Sequence, residues 1–418
     1  MDKQTIPSSY ELMSVQIVHR HGNRNFLEDY TNIMPKLKCT KIQFGTKYFL
    51  DSYKKDRTIS TSNKDIRNIL NNPVYFEPAI ARVNKDEPPG DLKYSDDYEE
   101  MYSNTCGRGQ LTDKGIDLMV EFGEKLCKRY LDEYKLPNFD KNDVELRAIS
   151  KPRIIESLMC VSIGIFPEKF SLKSPTRDDR IQIVLWTKKQ DIMSRTCNQE
   201  VKNLDNEYNK TFSDKYEKIC QKIFKDINIL KPEKPSWKEA IYYLDDTFKC
   251  VHDYFEDSKN QNQAIKAYIL YEKLKSKKDE LERLSILSNF GIYFDKTNGK
   301  KAAMLRIGQF IHELGGKFFR LAEQQLKKLY IYSGSDDVIA SILVLFDLFD
   351  EKGPFPRFGS NIIFKLYKDR LTQKKFVSIK YNQDTNINTQ SDMTYNHLFS
   401  LEELQKKVQS FDPTNKKV

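Results

Sequence analysis

Short apolar runs alternate with longer amphipathic segments along this chain, and that alternation is typical of an α/β fold. Each run has the length and the β-branched or aromatic content of a strand. The predicted strands are Val15–Val18, Val144–Ala148, Ile181–Trp186, Leu329–Ser333, Ile362–Tyr367 and Phe376–Tyr381. We expect the last two to form a hairpin, because the polar segment 368–375 joins them.

Apolar residues at helical spacing follow several of these strands. Thr112 is a capping residue, and the apolar positions from 116 to 130 recur on one helical face, which we expect to be buried. Two further helices are predicted. One covers 304–328, and the other covers about 337–349 with Ser335 as its N-cap.

A change of composition marks the middle of the chain. From about 194 to 288 the chain is rich in Lys, Asp, Asn and Tyr and has helical character. Ser236 and Glu239 form a capping-box pattern there, and a similar pattern at 400–403 opens a short last helix. The predicted organisation is an α/β core of residues 1–190 and 290–418 with a helical cap insertion of residues 191–289.

In residues 27–100 the sequence pattern does not favour one kind of secondary structure. Pro88-Pro89-Gly90 is a strong turn marker, and an acidic run follows it. We predict a solvated connection for this stretch.

Chain length and net charge limit the classes of fold and partner that we expect. The 418 residues are enough for a sizeable core, and 69 Lys and Arg against 60 Asp and Glu give a net charge of +9. This modest excess fits attraction to phosphates, anionic lipid surfaces or acidic protein partners. No nucleic acid is expected as a partner, because the repeated basic and aromatic pattern of a nucleic-acid module is missing. No apolar run approaches about 18 residues, so we expect no transmembrane segment.

Cysteine content and the first residues bear on location. The seven cysteines are an odd number without CxxC spacing, which argues against a zinc site and favours a reducing compartment. The polar start 1–10 lacks the apolar stretch of a secretion signal. We therefore expect the cytoplasm or another reducing compartment, such as the mitochondrion. The chain is not evidently secreted, since it either lacks a signal peptide or has already lost one.

The candidate chemistry lies directly after the first predicted strand, in Arg20-His21-Gly22-Asn23-Arg24. Two arginines can grip a phosphate bidentately, and the histidine between them can supply a nucleophilic nitrogen. The glycine can let the backbone come close to a ligand. We interpret the stretch as a phosphate site that contains a nucleophile. The alternative is a basic turn at the surface.

The motif 20–24 is similar to the signature of the histidine acid phosphatases, a family of the phosphoglycerate-mutase-like superfamily. Three further stretches resemble that family in order and spacing, namely Cys106–Gly115, Arg147–Ser157 and Leu329–Leu343. Within the family, length and motif order are most similar to lysophosphatidic acid phosphatase. Phe26 stands where the family normally has proline.

The resemblance implies a phosphoglycerate-mutase-like α/β sandwich with a mostly helical cap subdomain. It also implies hydrolysis of phosphate monoesters through a phosphohistidine, with His21 as nucleophile and Asp336 as proton donor. It assigns phosphate binding to Arg20, Arg24, Arg153 and Ser335. No cofactor or metal is implied, and the implied partner is a phosphate-bearing small molecule or lipid.

One departure from the family concerns Ser335, which stands where the family has a second histidine. Serine can donate one hydrogen bond but cannot carry a positive charge, so we expect weakened catalysis. The alternative is a catalytically inactive protein that keeps the fold as a structural or interaction subunit of a larger assembly. A mutase is a poorer reading, because mutases of this superfamily have no need of the Ser-Asp arrangement.

Two histidines outside the motif are predicted to be structural. His252 lies in the helical segment and is expected to be structural or exposed. His312 has apolar neighbours in the sequence, so we expect it to be buried.

Overall fold

The computed structural model describes residues 9–25, 27, 76–80, 109–133, 143–149, 151–166, 181–185, 191–193, 199–231, 233, 236–256, 265–319, 328–349, 355–387 and 397–411. Its strands are β1 (Tyr10–Arg20), β2 (Phe76–Ile80), β3 (Val144–Ala148), β4 (Ile181–Leu185), β5 (Leu329–Gly334), β6 (Asn361–Asp369), β7 (Lys375–Asn382) and β8 (His397–Ser400). Its helices are α1 (Asp113–Leu126), α2 (Pro152–Ile165), α3 (Gln199–Asp226), α4 (Trp237–Glu256), α5 (Ile265–Ser276), α6 (Lys278–Phe290), α7 (Gly299–Phe319), α8 (Asp336–Leu345) and α9 (Leu401–Gln409).

The described strands form one sheet in the order β2-β4-β3-β5-β1-β6-β7-β8. The strands from β2 to β1 are joined in parallel, and β6, β7 and β8 continue the sheet antiparallel. In β1, which lies where the two halves meet, residues 14–20 are all buried. Burial along a whole strand is typical of a parallel sheet with helices on both faces.

The carboxyl ends of β1, β3 and β5 meet at one edge of this sheet. In the strand register, Arg20 lies opposite Gly334, and Ala148 lies opposite Ser333. Side chains that directly follow these three strands therefore lie close together, at the position where open α/β sheets bind ligands. This edge positions the candidate site.

Most of the predicted strands and caps are confirmed. The strand Val144–Ala148 has the predicted bounds, the strand 329–333 continues to Gly334, and the terminal hairpin pairs β6 with β7. Thr112 accepts a hydrogen bond from the Gly115 backbone N–H and caps α1. The predicted capping boxes at the starts of α4 and α9 are also present.

Other expectations are wrong in detail. The predicted solvated connection contains β2, an edge strand paired with β4, and the rest of 27–100, apart from Leu27, lies outside the described residues. Helix α7 begins at Gly299, earlier than predicted, after a turn in which the Asp295 carboxylate accepts backbone hydrogen bonds. Helix α8 ends at Leu345, where Phe346 is the C-cap.

Two clusters of buried apolar side chains support the described elements. The larger surrounds the sheet together with α1, α2, α7 and α8. The second, which we call the helical cluster, is formed by residues of α3, α4, α5 and α6. The exact division at 191–289 stays a prediction. None of the helices within the described ranges has the length and apolarity that crossing a membrane requires.

Candidate active site

His21 directly follows β1 and is almost fully buried. Its Nδ1 lies 2.9 Å from the carbonyl oxygen of Gly22. Because a carbonyl only accepts, this contact requires the proton on Nδ1 and leaves a lone pair on Nε2. Arg153 donates from Nε to that nitrogen across 3.4 Å. The ring is therefore held with its nucleophilic nitrogen toward an arginine.

Burial lowers the pKa of His21 well below its usual range, and the positive charges of Arg153, Arg20 and Arg24 lower it further. The hydrogen bond to Gly22 opposes this shift but does not reverse it. The imidazole is therefore neutral in neutral solution. The neutral ring is the form that can attack phosphorus.

Gly22 fixes the course of the chain after His21. A Cβ at this position would lie 2.7 Å from the Gly115 carbonyl oxygen, so glycine allows close packing against the start of α1. The Gly22 N–H also donates to the Ser157 hydroxyl on α2, across 3.1 Å. The close approach seen here is therefore to α1, whereas the sequence suggested an approach to a ligand.

Arg20 links β1 to the N-terminus of α8. Its Nη2 lies 2.8 Å from Oδ2 of Asp336, and its Nη1 donates to the Pro356 carbonyl across 2.6 Å. The Phe358 ring centre is 4.5 Å from the guanidinium carbon. Arg20 is therefore held by a carboxylate and a carbonyl and covered by an aromatic face.

Asp336 is the first residue of α8 and is buried. Burial acts to raise its pKa, but Arg20 and Arg24 outweigh burial and hold the pKa below its ordinary value. The Asp337 backbone N–H also donates to its Oδ1, across 3.1 Å. The pKa of Asp337 is raised by its own burial and by the charge of Asp336. Of this pair, Asp336 is therefore the carboxyl group that loses its proton more readily.

Arg24 is held by the helical part of the chain. Its Nη1 and Nη2 donate to the two carboxylate oxygens of Asp246, across 3.0 and 2.7 Å. Asp246 lies on α4, and both side chains are at most 5% exposed. The predicted phosphate ligand Arg24 is therefore engaged in a bidentate ion pair within the protein.

Arg153 is the second residue of α2, directly after the N-terminal Pro152. Burial, followed by the charge of Arg24, lowers its pKa to about 10, so it stays positively charged in acid and neutral solution. Glu156 lies one helical turn further on. Burial raises the pKa of Glu156 to about 7, although Arg153 opposes the shift. Two ionisable groups with perturbed pKa values therefore lie on α2 near His21.

Ser335 takes the N-cap position of α8, as predicted, but its side chain makes no capping hydrogen bond. The residue before it, Gly334, accepts a hydrogen bond from the His21 backbone N–H across 3.2 Å. The backbones of His21 and Ser335 therefore leave neighbouring strands side by side. The position where the resemblance places a second histidine thus adjoins the motif histidine.

The structure brings the predicted residues 20, 21, 24, 153, 335 and 336 to one edge of the sheet. Sequence reasoning missed Asp246, Glu156 and Phe358. A weak signal existed for Asp246, because an acidic residue between Leu244 and Phe248 interrupts the apolar face of α4. Glu156 follows Ile154 and Ile155 in a nearly all-apolar helix, which also hinted at a buried charge.

The remaining histidine predictions have mixed outcomes. His252 is half-buried, and its Nδ1 lies 2.8 Å from the Tyr271 hydroxyl in the helical cluster, which agrees with a structural role. The prediction for His312 is wrong, because that residue is exposed on α7. Its apolar sequence neighbours Ile311 and Leu314 face the core. Across the described ranges, no group of three His, Cys, Asp or Glu side chains is arranged to hold a metal ion.

Comparisons with known proteins agree on one family. The sequence profile of the histidine phosphatase superfamily (branch 2) matches residues 11–382. Lysophosphatidic acid phosphatase type 6 of Mus musculus is 23% identical over 299 residues, which cover 68% of this chain and 65% of that protein. The chain thus spans slightly less than two thirds of that relative. Human 2-phosphoxylose phosphatase 1 is 22% identical over 394 residues, which cover 90% of this chain and 71% of the relative.

Solved structures show the same fold. The phytase of Klebsiella sp. ASR1 superposes with a TM-score of 0.56 at 11% identity and covers 97% of this chain and 95% of its own. The multiple inositol polyphosphate phosphatase of Bifidobacterium longum, in complex with phosphate, gives 0.55 at 10% identity, with 98% and 94% covered. These identities carry information about the fold alone. The predicted phosphoglycerate-mutase-like α/β fold is confirmed.

Proposed function

The chain belongs to branch 2 of the histidine phosphatase superfamily, and from this premise we propose that it hydrolyses phosphate monoesters through a phosphohistidine on His21. Membership of the family supports a phosphatase-type function. The observation that carries the finer proposal is the orientation of the His21 ring. Its Nδ1 proton is fixed by the Gly22 carbonyl, and its unprotonated Nε2 accepts a hydrogen bond from Arg153.

In the first step, Nε2 of His21 attacks phosphorus and the bond from phosphorus to the ester oxygen breaks. Arg153, Arg20 and Arg24 surround the ring closely enough to lower its pKa, so their charges also act on a phosphoryl group bound there. Phosphoryl transfer depends mainly on positioning and on stabilisation of charge, which fixed guanidinium groups supply.

Asp336 delivers the proton that the leaving alcohol needs. A substrate phosphate that binds Arg20 weakens the ion pair between Arg20 and Asp336, which raises the proton affinity of the carboxylate. In the second step, water attacks the phosphohistidine, and Asp336 accepts the proton of that water. Phosphate leaves, and His21 returns to its neutral form.

Ser335 makes the proposed enzyme slow. A histidine at this position would contribute a charged donor to the phosphoryl oxygens, whereas serine contributes one neutral donor. Loss of one such donor costs roughly 10²- to 10³-fold in rate. The proposed activity is therefore that of a weakened phosphatase.

The proposed substrate class is a phosphate-bearing small molecule or lipid. The net charge of +9 favours anionic ligands. The names of the relatives include a phospholipid phosphatase and a phosphorylated-sugar phosphatase, and both belong to this class.

The second candidate is an inactive phosphatase-fold protein that serves as a structural or interaction subunit of a larger assembly. The pairing of Arg20 and Arg24 with carboxylates favours it, because a satisfied polar network can support the fold without any substrate. Turnover of a simple substrate separates the two candidates.

The test is hydrolysis of an aryl phosphate by the purified chain between acid and neutral pH, beside the His21→Ala variant. We expect slow turnover that disappears in His21→Ala. His312→Ala is the matched control, because that histidine is exposed on α7, and it should retain the parent rate. No turnover by the parent, or equal turnover by His21→Ala, would refute the proposal and favour the second candidate.

A further inference from the structure

The bidentate pair between Arg24 and Asp246 occupies donors that a phosphate would use. A guanidinium binds two phosphate oxygens through the same parallel N–H groups with which it binds a carboxylate. Here both terminal nitrogens of Arg24 donate to Asp246. Asp246 therefore stands chemically in the place of a ligand oxyanion.

Asp246 is held firmly in that place. The carboxylate accepts a third hydrogen bond, which the Leu27 backbone N–H donates to Oδ2 across 3.0 Å. Helix α4 itself packs into the helical cluster. Tyr242 precedes Asp246 by four residues on the same face of α4, and Cys250 follows by four, with its sulfur 3.9 Å from Nη1 of Arg24. We call this face of α4, which carries Tyr242, Asp246 and Cys250, the helical wall of the candidate phosphate site.

Arg20 and Arg24 each keep one buried N–H group that can donate to an incoming anion. Among the described residues, the Nε–H groups of Arg20 and Arg24 are buried and have no acceptor. Buried donors are usually paired, so two such groups at one site indicate a polar ligand. Arg24 can therefore meet a ligand through Nε while Asp246 holds its terminal nitrogens, or meet it more strongly once Asp246 is displaced.

The charges of the pocket are nearly balanced. Among the groups in direct contact, Arg20 and Arg24 each pair with one carboxylate, and Arg153 contacts the neutral ring of His21. One phosphate group suits the small positive excess that remains. A ligand with several phosphate groups would bring further negative charge toward Asp246, and that repulsion is strong where water is excluded.

We propose that Asp246 is a specificity-determining residue that competes with the ligand phosphate for Arg24 and limits the pocket to ligands with a single phosphate group. This inference rests on the proposed function only in taking the pocket as a phosphate site. It makes no use of turnover, so binding alone can test it.

A merely structural role for Asp246 predicts the opposite result from competition. If Asp246 only holds Arg24 in place, its replacement will weaken phosphate binding. If Asp246 competes, the Asp246→Asn variant will bind phosphate more tightly, because the competing negative charge is gone and the single amide oxygen replaces two carboxylate acceptors, which leaves a terminal N–H group of Arg24 for the ligand. The sign of the change in affinity therefore separates the two roles.

The experiment is calorimetric titration of the full chain with methylphosphonate and with methylenediphosphonate, which carry one and two phosphonate groups and are not hydrolysed. We expect Asp246→Asn to bind methylphosphonate at least about tenfold more tightly than the parent, the gain of a charge-assisted contact. The gain for methylenediphosphonate should be larger still.

Asp245→Asn is the matched control. Asp245 is also buried on α4, but it pairs with Lys249 across 2.7 Å and not with an arginine of the pocket. Its replacement should leave both affinities within about twofold of the parent values, since sites without shared partners act independently.

Removing one partner of a buried ion pair is destabilising, so Asp246→Asn is also refolded with and without methylphosphonate. Folding that depends on the ligand supports the proposal, because the phosphonate then replaces the carboxylate. Equal or weaker affinity in Asp246→Asn, or failure to fold even with the ligand, overturns the proposal. If the parent binds methylphosphonate in that case, the phosphate site of the proposed function still stands. If neither protein binds it, both proposals fail.

Discussion

The two arginines of the motif are held on two sides of the candidate site, the helical wall on α4 and a sheet wall, which consists of the carboxyl ends of β1 and β5 and the start of α8. On the sheet wall, Arg20 makes one ion-pair contact with Asp336, at the start of a helix that directly follows a strand. On the helical wall, Arg24 makes two contacts with Asp246, which sits in the interior of α4. Each wall thus neutralises one arginine, but Asp336 makes a single ion-pair contact whereas Asp246 makes two.

That difference assigns different tasks to the two carboxylates. A single contact can be exchanged when a phosphate arrives, so Asp336 can change its protonation during a reaction. A bidentate contact fixed by a helix and by the Leu27 N–H resists exchange. We therefore expect the sheet wall to carry the chemistry and the helical wall to restrict the ligand.

Neutralising Asp336 should have the largest effect on activity. Asp336→Asn should lower kcat for an alkyl phosphate by roughly 10²- to 10⁴-fold, because a general acid is lost. The loss should be smaller for an aryl phosphate, whose leaving group needs less help from a proton. Initial rates with both substrates check this expectation. A comparable loss in Asp246→Asn would mean that the two walls do not differ in task.

Introducing a histidine at position 335, on the sheet wall, should have the next largest effect on activity. Ser335→His should raise kcat/KM for an aryl phosphate by roughly 10²- to 10³-fold, since a charged donor then reaches the phosphoryl oxygens. Ser335→Asn is the control, because it adds polar bulk without charge and should give little gain. Equal rates in both variants would remove Ser335 as the cause of weak catalysis.

The pH dependence of kcat/KM should also be determined by Asp336 on the sheet wall. The pKa of Asp336 is lowered, so its protonated fraction falls by about tenfold per pH unit above that pKa. Burial lowers the pKa of His21 well below its usual range, so the imidazole is already neutral near neutral pH. We expect kcat/KM to decline from acid to neutral pH, and Asp336→Asn to flatten the decline. A rate that rises toward neutral pH would indicate that His21 must lose a proton first.

Replacing Glu156 should have the smallest effect on activity and a measurable effect on thermal stability. Its pKa is raised by burial to about 7, so it favours the folded state while protonated and loses that contribution as pH rises from about 4.5 to 7. The loss is on the order of 3 kcal/mol. Glu156→Gln should raise the unfolding temperature at pH 8 and leave it nearly unchanged at pH 4. Thermal unfolding measures both, with the more exposed Glu121→Gln as control.

The sheet wall could be predicted from the sequence because its signals are local. A strand, a glycine and a capping residue occur within a few positions of each other, as in Leu329–Ser335. The parallel register then brings Ser335 beside His21 without further information. Edge strand β2 escaped prediction because Glu77 and Pro78 obscure its short pattern.

The helical wall could not be predicted in the same way. Arg24 and Asp246 are 222 positions apart, and no periodicity connects them. The bidentate pair depends on how α4 packs beside the carboxyl edge of the sheet, which is a property of the tertiary structure. Long-range pairs of buried charges are therefore the part of this site that only the structure supplies.

Trapping the phosphorylated enzyme tests directly whether His21 is the nucleophile. The chain is mixed with an aryl phosphate, quenched in base, in which phosphohistidine survives, and digested for mass spectrometry. We predict one added phosphoryl group on the peptide that contains His21, and no such group in His21→Ala. Turnover without a phosphorylated His21 peptide, or a phosphoryl group on another residue, would show that His21 is not the nucleophile.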